Sequence, residues 1–129
     1  PPLHKPASGA TPDTQPEKLY EHLARLAAGP WNVNGELGLV VGATFPDELA
    51  RVRTLAPRLP LLVPGVGAQG GDVNATVRAG LDADGYGLVI NSSRAILYAG
   101  KGTDFADQAR KAAVATRDAI RAARNAARA

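Results

Sequence analysis

The sequence predicts an α/β fold with a parallel sheet, and three observations carry that expectation. Three short apolar runs begin at Gly38, Leu61 and Gly87, about 23 and 26 residues apart, which is the length of one strand, one helix and their loops. Each run is followed by a segment of helical periodicity. The runs are rich in Leu, Val and Ile, as strands covered on both faces are. Such alternation fits either an open doubly wound sheet or part of a (β/α)8 barrel.

Residues 1–16 hold half of the ten prolines and read as a loop entering from an element outside these residues. The chain starts Pro1-Pro2 and contains no methionine, so it is expected to continue upstream. Pro16 suits a first helical turn. Leu19, Tyr20, Leu23, Leu26 and Ala27 then predict one apolar helix face that ends near Gly29-Pro30. Asn34-Gly35 marks a turn.

The run Gly38-Leu39-Val40-Val41-Gly42-Ala43-Thr44 predicts the first strand. Pro46-Asp47-Glu48 has the proline and acids of a helix start, and Leu49, Val52 and Leu55 line that helix until Pro57. The second strand, from Leu61, breaks into Gly65-Val66-Gly67-Ala68-Gln69-Gly70-Gly71, and Asp72 is placed to cap the next helix, lined by Val73, Val77 and Leu81. A turn at Asp82-Ala83-Asp84-Gly85 leads to the third strand, over residues 87–90. Asn91-Ser92-Ser93-Arg94 follows it, and an Ala-rich helix is expected from about Thr103.

Composition narrows the function classes. At 129 residues and 45% hydrophobic content, one ordinary domain with a core is expected. There is no cysteine, which removes disulfides and thiolate metal sites. No apolar stretch approaches the ~20 residues that span a bilayer. The formal charge of +3 is concentrated late in the chain, where Arg117, Arg121, Arg124 and Arg128 form one helical stripe. With aromatic content of 5%, a solvated helix face accounts for that stripe better than a nucleic-acid groove does.

Two consecutive strand ends carry the candidate site. Residues 65–70 spell G-x-G-x-x-G, but no acidic residue ends the next strand, so a dinucleotide fingerprint is disfavoured. Barrels that take phosphorylated substrates commonly hold the anion between the loops after two successive strands near the end of the chain. Here those loops bring glycine N–H groups and Gln69, then Ser93 and Arg94. A glycine turn alone requires no ligand; the pairing with Arg94 is what suggests one.

At these residues the chain resembles the C-terminal half of orotidine 5′-phosphate decarboxylase, in its bacterial longer-chain subgroup. The run LVPGVGAQGGD over residues 62–72 matches the family's seventh-strand motif. Residues 38–44 look like its sixth strand, and residues 90–99 like its eighth strand with the phosphate arginine. The resemblance implies a (β/α)8 barrel, here about strands six to eight, with residues 1–129 as the C-terminal part of one domain. It implies decarboxylation of orotidine 5′-phosphate to UMP in pyrimidine synthesis, without cofactor or metal, in a cytoplasmic homodimer that binds neither nucleic acid nor membrane. Pro64, Gly65, Val66, Gly67, Gln69, Ser93 and Arg94 would bind the nucleotide. Pro64 would lie at the pyrimidine edge and Gln69 and Arg94 at the phosphate.

Two departures qualify the resemblance. The family's fifth-strand loop has a Ser-Asn-Pro-type sequence, whereas here the stretch is His4-Lys5-Pro6-Ala7-Ser8, so Ser8 would stand in for its serine. The Asp-x-Lys-x-x-Asp signature that supplies the proton-donating lysine is absent, so no catalytic residue is expected in this chain, and Lys5, His4 and His22 do not replace it. The N-terminal half of the barrel is then an implied partner. Without it the fragment is expected to be inactive and to leave a strand edge and an apolar sheet face exposed. A non-catalytic phosphate- or nucleotide-binding half-barrel is the alternative reading. A sugar-phosphate isomerase or hexulose-phosphate synthase comes third.

Overall fold

The structure, a computed structural model, describes residues 15–67 and 72–129. Helix α1 (Leu19–Ala28) begins where Glu21 reaches back to accept the Lys18 N–H at 2.9 Å, half of a capping box. Strand β1 (Leu39–Val40) leads to α2 (Pro46–Leu55), which has Pro46 at its start as expected. Strand β2 (Leu61–Val63) and α3 (Val73–Gly80) follow, and the Asp72 carboxylate caps α3 by accepting the Ala75 N–H at 2.9 Å. Strand β3 (Leu88–Ile90), a short helix α4 (Ser93–Leu97) and α5 (Phe105–Ala127) complete the order.

The sheet is parallel with order β1-β2-β3. Leu39 pairs with Leu61 and Leu61 with Leu88; one step on, Val40, Leu62 and Val89 stand in one row. The first strand is shorter than the seven residues expected, although Val41 and Ala43 still donate to the Leu62 and Pro64 carbonyls at 2.9 and 3.2 Å. Ladder bonds therefore continue to the end of the sheet where the loops lie.

One sheet face is covered and the other is open. Leu61 and Val63 are fully buried in a cluster with Leu49, Val52, Ala56 and Leu59, and α2 packs between α1 and α3 while α5 packs on α3. On the opposite face Val40, Leu62 and Val89 are 70%, 38% and 57% exposed. The expectation that these strands are covered on both faces is thus corrected for the described residues: alternation along a strand sends every second side chain away from the helices. The exposed apolar face expected of a partial barrel is present.

The apolar face of α1 also differs from the sequence reading. Ala27 is buried as expected, but so is Ala24, which the reading passed over, whereas Leu19 and Leu23 are exposed. Small alanines let α1 approach α2 closely, and the larger leucines fall to the side.

The sequence did not single out Arg53, yet it is 8% exposed and lies at the sheet end opposite the glycine loop. Its guanidinium donates to the carbonyls of Gly80 (2.7 Å), Ala56 (3.1 Å), Pro57 (3.4 Å), Leu59 (2.7 Å) and Gly87 (3.0 Å). These carbonyls sit at the ends of α2 and α3 and just before β2 and β3. Burial lowers the Arg53 pKa and the nearby Asp82 charge opposes that, but a guanidinium remains protonated. One cation thereby gathers four chain ends.

The arginine stripe is not wholly solvated. Arg124 donates to the Gly85 carbonyl at 2.7 Å, and its guanidinium lies 4.1 Å from the Tyr86 ring centroid. Gly85 has φ +79°, and the Arg128 side chain covers it. Arg124 and Arg128 therefore dock α5 onto the turn before β3, and Arg117 and Arg121 are left on the exposed part of the stripe.

Candidate phosphate-binding site

The loop after β2 and the segment after β3 meet at the same end of the sheet. A cavity of about 130 Å³ lies between residues 64–66 and residues 91–94. Parallel, adjacent strands explain this, since both chains leave the sheet at the same end.

A buried hydrogen bond fixes the two segments together. Ser92 Oγ donates to the Val66 carbonyl oxygen at 2.8 Å. Gly65 and Gly67 have φ +85° and +83°, left-handed backbone that favours glycine, so the turn needs glycine at both positions. A Cβ on Gly67 would lie 3.8 Å from Ser92 Oγ, which is ordinary contact; the constraint there is the backbone angle.

The expected site residues divide into three groups. Pro64, Gly65, Val66, Ser93 and Arg94 line the common cavity. Among them Val66 is corrected in one respect: its side chain is buried in the core and its carbonyl is taken by Ser92, so it shapes the turn and offers no side-chain contact. Gly67 is next to the cavity and exposed. Gln69 and Ser8 lie outside the described residues.

Arg94 is exposed and makes no ion pair with a described residue. Ser93 carries an exposed hydroxyl, which sits 3.5 Å from Asn91 Nδ2. Residues 93–95 open α4, and the first N–H groups of a helix have no intrahelical acceptor. The cleft therefore unites a guanidinium, a hydroxyl, main-chain donors and glycine turns, a set suited to an anion. Ser92 is the residue sequence reading missed in its role. In the sequence it reads as part of the loop, and nothing local indicates that its hydroxyl reaches back 26 residues. Among the described residues no group of three or more His, Asp or Glu side chains is placed to hold a metal ion, and no helix is long and apolar enough to cross a membrane.

The fold and the cleft define the class: parallel βα units of the kind a (β/α)8 barrel repeats, with a small opening at the strand ends that is lined by anion donors. Comparison with known proteins then shows what the chain is similar to. The chain is 65% identical over 115 residues to the orotidine 5′-phosphate decarboxylase of Polaromonas naphthalenivorans and 68% identical over 112 residues to that of Azoarcus sp., covering 89% and 87% of this chain. It spans 40% and 42% of the length of those two relatives. Among solved structures it is similar to Leishmania donovani OMP decarboxylase, with a TM-score of 0.67 and 45% identity over 83% of this chain and 40% of that one. It is also similar to Leishmania donovani UMP synthase, with a TM-score of 0.69 and 50% identity over 84% of this chain and 23% of that one. No family profile matches the chain. The resemblance to the orotidine 5′-phosphate decarboxylases read from residues 62–72 and 90–99 thus holds over more than four-fifths of the chain.

Proposed function

We propose that this chain supplies the phosphate- and nucleotide-gripping part of an orotidine 5′-phosphate decarboxylase, which converts orotidine 5′-phosphate to UMP and CO2 in pyrimidine biosynthesis. The observation that carries the reading is the cleft in which residues 64–66 face residues 91–94, within a chain 65% identical to a decarboxylase. In this reading residues 1–129 are the C-terminal part of one barrel, about strands six to eight, and residues 1–16 enter from the preceding part.

Arg94 and the N–H groups near Ser93 and Gly67 hold the phosphate dianion, Gln69 reaches over the nucleotide to it, and Pro64 packs against the pyrimidine edge. Ser8 contacts the ring from the other end of the sequence. Binding energy from the remote phosphate then holds the reacting ring in an environment that favours loss of CO2. The carbanion is protonated at C6 by a lysine that other residues of the barrel provide. No cofactor takes part. A cytoplasmic homodimer, in which each subunit lends a carboxylate to the other's site, completes the reading.

The test is to produce this chain together with the portion of the Azoarcus relative that it does not match, and to assay orotidine 5′-phosphate decarboxylation. Activity is expected from the pair and from neither piece alone. Arg94→Ala in the pair should raise KM for the phosphorylated substrate by about 10- to 100-fold, the loss of a charge-assisted phosphate contact. Tighter binding of ribulose 5-phosphate than of UMP would overturn the assignment.

A further inference from the structure

A groove of about 650 Å³ lies between the β3 side of the sheet and α5, separate from the anion cleft apart from the shared residues 91–93. Its floor is apolar, formed by Ile90, Ile96, Ala113 and Ile120, and its rim carries Arg117 and Arg121. No carboxylate lines it. Arg117 meets only its sequence neighbour Asp118, at 2.8 Å, and Arg121 makes no ion pair with a described residue. β3 has β2 on one edge and no described strand on the other.

We infer that this groove is the docking surface for an acidic-faced βα unit of the remaining barrel, whose strand pairs with β3 and whose helix seats apolar side chains on Ile96 and Ile120 while presenting carboxylates to Arg117 and Arg121. The inference rests on the proposed reading of the chain as part of a barrel and adds the chemistry of the partner face. The sign of the charge selects the partner. The groove at the opposite edge, beside β1, contains Glu48 and no arginine or lysine, so the two open edges are not interchangeable. Apolar burial supplies affinity, and the arginines reject a unit of the wrong charge or register. The relatives' greater length leaves ample chain for the occupant, since this chain spans only about 40% of it.

The experiment uses the full 129-residue chain, tagged and co-produced with the unmatched portion of the Azoarcus relative, and reads how much of that portion is retained as NaCl is raised from 50 to 500 mM. The expected result is retention that falls with salt, drops about tenfold in the Arg117→Glu/Arg121→Glu double variant, and is unchanged in Arg110→Glu, an exposed control on the same helix. The milder Arg117→Gln/Arg121→Gln variant should lose retention by about threefold and lose its salt dependence, which keeps the test valid if the reversed charges impair folding. Equal retention in all variants overturns the inference. So does self-association of the chain that the same substitutions abolish, because the occupant would then be a second copy. Decarboxylation is assayed in parallel: arginine-dependent retention without activity sinks the functional reading and leaves the docking surface standing.

Discussion

Ser92 Oγ donates a 2.8 Å hydrogen bond to the Val66 carbonyl oxygen, and this buried contact holds the turn after β3 against the turn after β2. Ser92→Ala would leave that carbonyl without its partner, at a cost of about 1–3 kcal/mol. A urea-denaturation series on the co-produced pair should show the loss. Because the same bond spaces Gly65 from Arg94, KM for the phosphorylated substrate should rise in Ser92→Ala as well.

Arg53 has no counterpart among the expected site residues, and it should be the most sensitive single position for stability. Arg53→Met would leave five main-chain carbonyls without their cationic donor, which predicts a loss of more than about 3 kcal/mol. Arg53→Lys should recover little, since an ammonium cannot replace the fork that spans Gly80, Leu59 and Gly87. Denaturation midpoints of the two variants check this; full recovery by lysine would show that charge alone suffices.

The Arg124 guanidinium over Tyr86 predicts a measurable coupling between α5 and the turn before β3. Tyr86→Phe keeps the ring and should be close to neutral, whereas Tyr86→Ala should cost about 0.5–2 kcal/mol beyond lost packing. A double-mutant cycle with Arg124→Met isolates the term.

Glu21 links α1 to α2. It accepts the Lys18 N–H at 2.9 Å and pairs with Arg51 Nε at 2.6 Å, and these two contacts, the backbone one first, hold its carboxyl below the ordinary carboxylate range. A depressed folded-state pKa contributes stability that is complete above the unfolded pKa and is lost as pH falls through the folded value. The stability gap between wild type and Glu21→Gln, fully open at pH 7, should therefore close on acidification. Urea midpoints measured from pH 7 downward follow it, and a gap that persists at the acid end would contradict the assignment.

What was legible in the sequence was local. Asp72, Pro46 and Gly85 each act within a few residues, through a cap, a fixed φ or a left-handed turn, and each does what its neighbourhood predicts. The strand order and the meeting of residues 64–66 with 91–94 followed from the even spacing of three apolar runs, because equal βα units place successive loops side by side. Arg53 was not legible. Its acceptors at Gly80 and Gly87 are 27 and 34 residues away, and beside Val52 it reads as an ordinary polar helix position. Arg124 was misread for the same reason, since a periodic arginine stripe gives no sign of which member finds a carbonyl 39 residues upstream. In α1 the periodicity marked Ala27, which is buried, together with Leu19 and Leu23, which are not, and it passed over the buried Ala24.

The row formed by Val40, Leu62 and Val89 makes these residues hazardous on their own. Greasy side chains in register beside unbonded strand margins are a template on which copies of the same chain can stack. A cell that made this stretch without its complement would be expected to recover it as inclusion bodies or degrade it, and a Leu62→Asp version should stay in the supernatant. That rescue would be self-defeating, for the carboxylate would then have to enter the dry centre of any completed barrel.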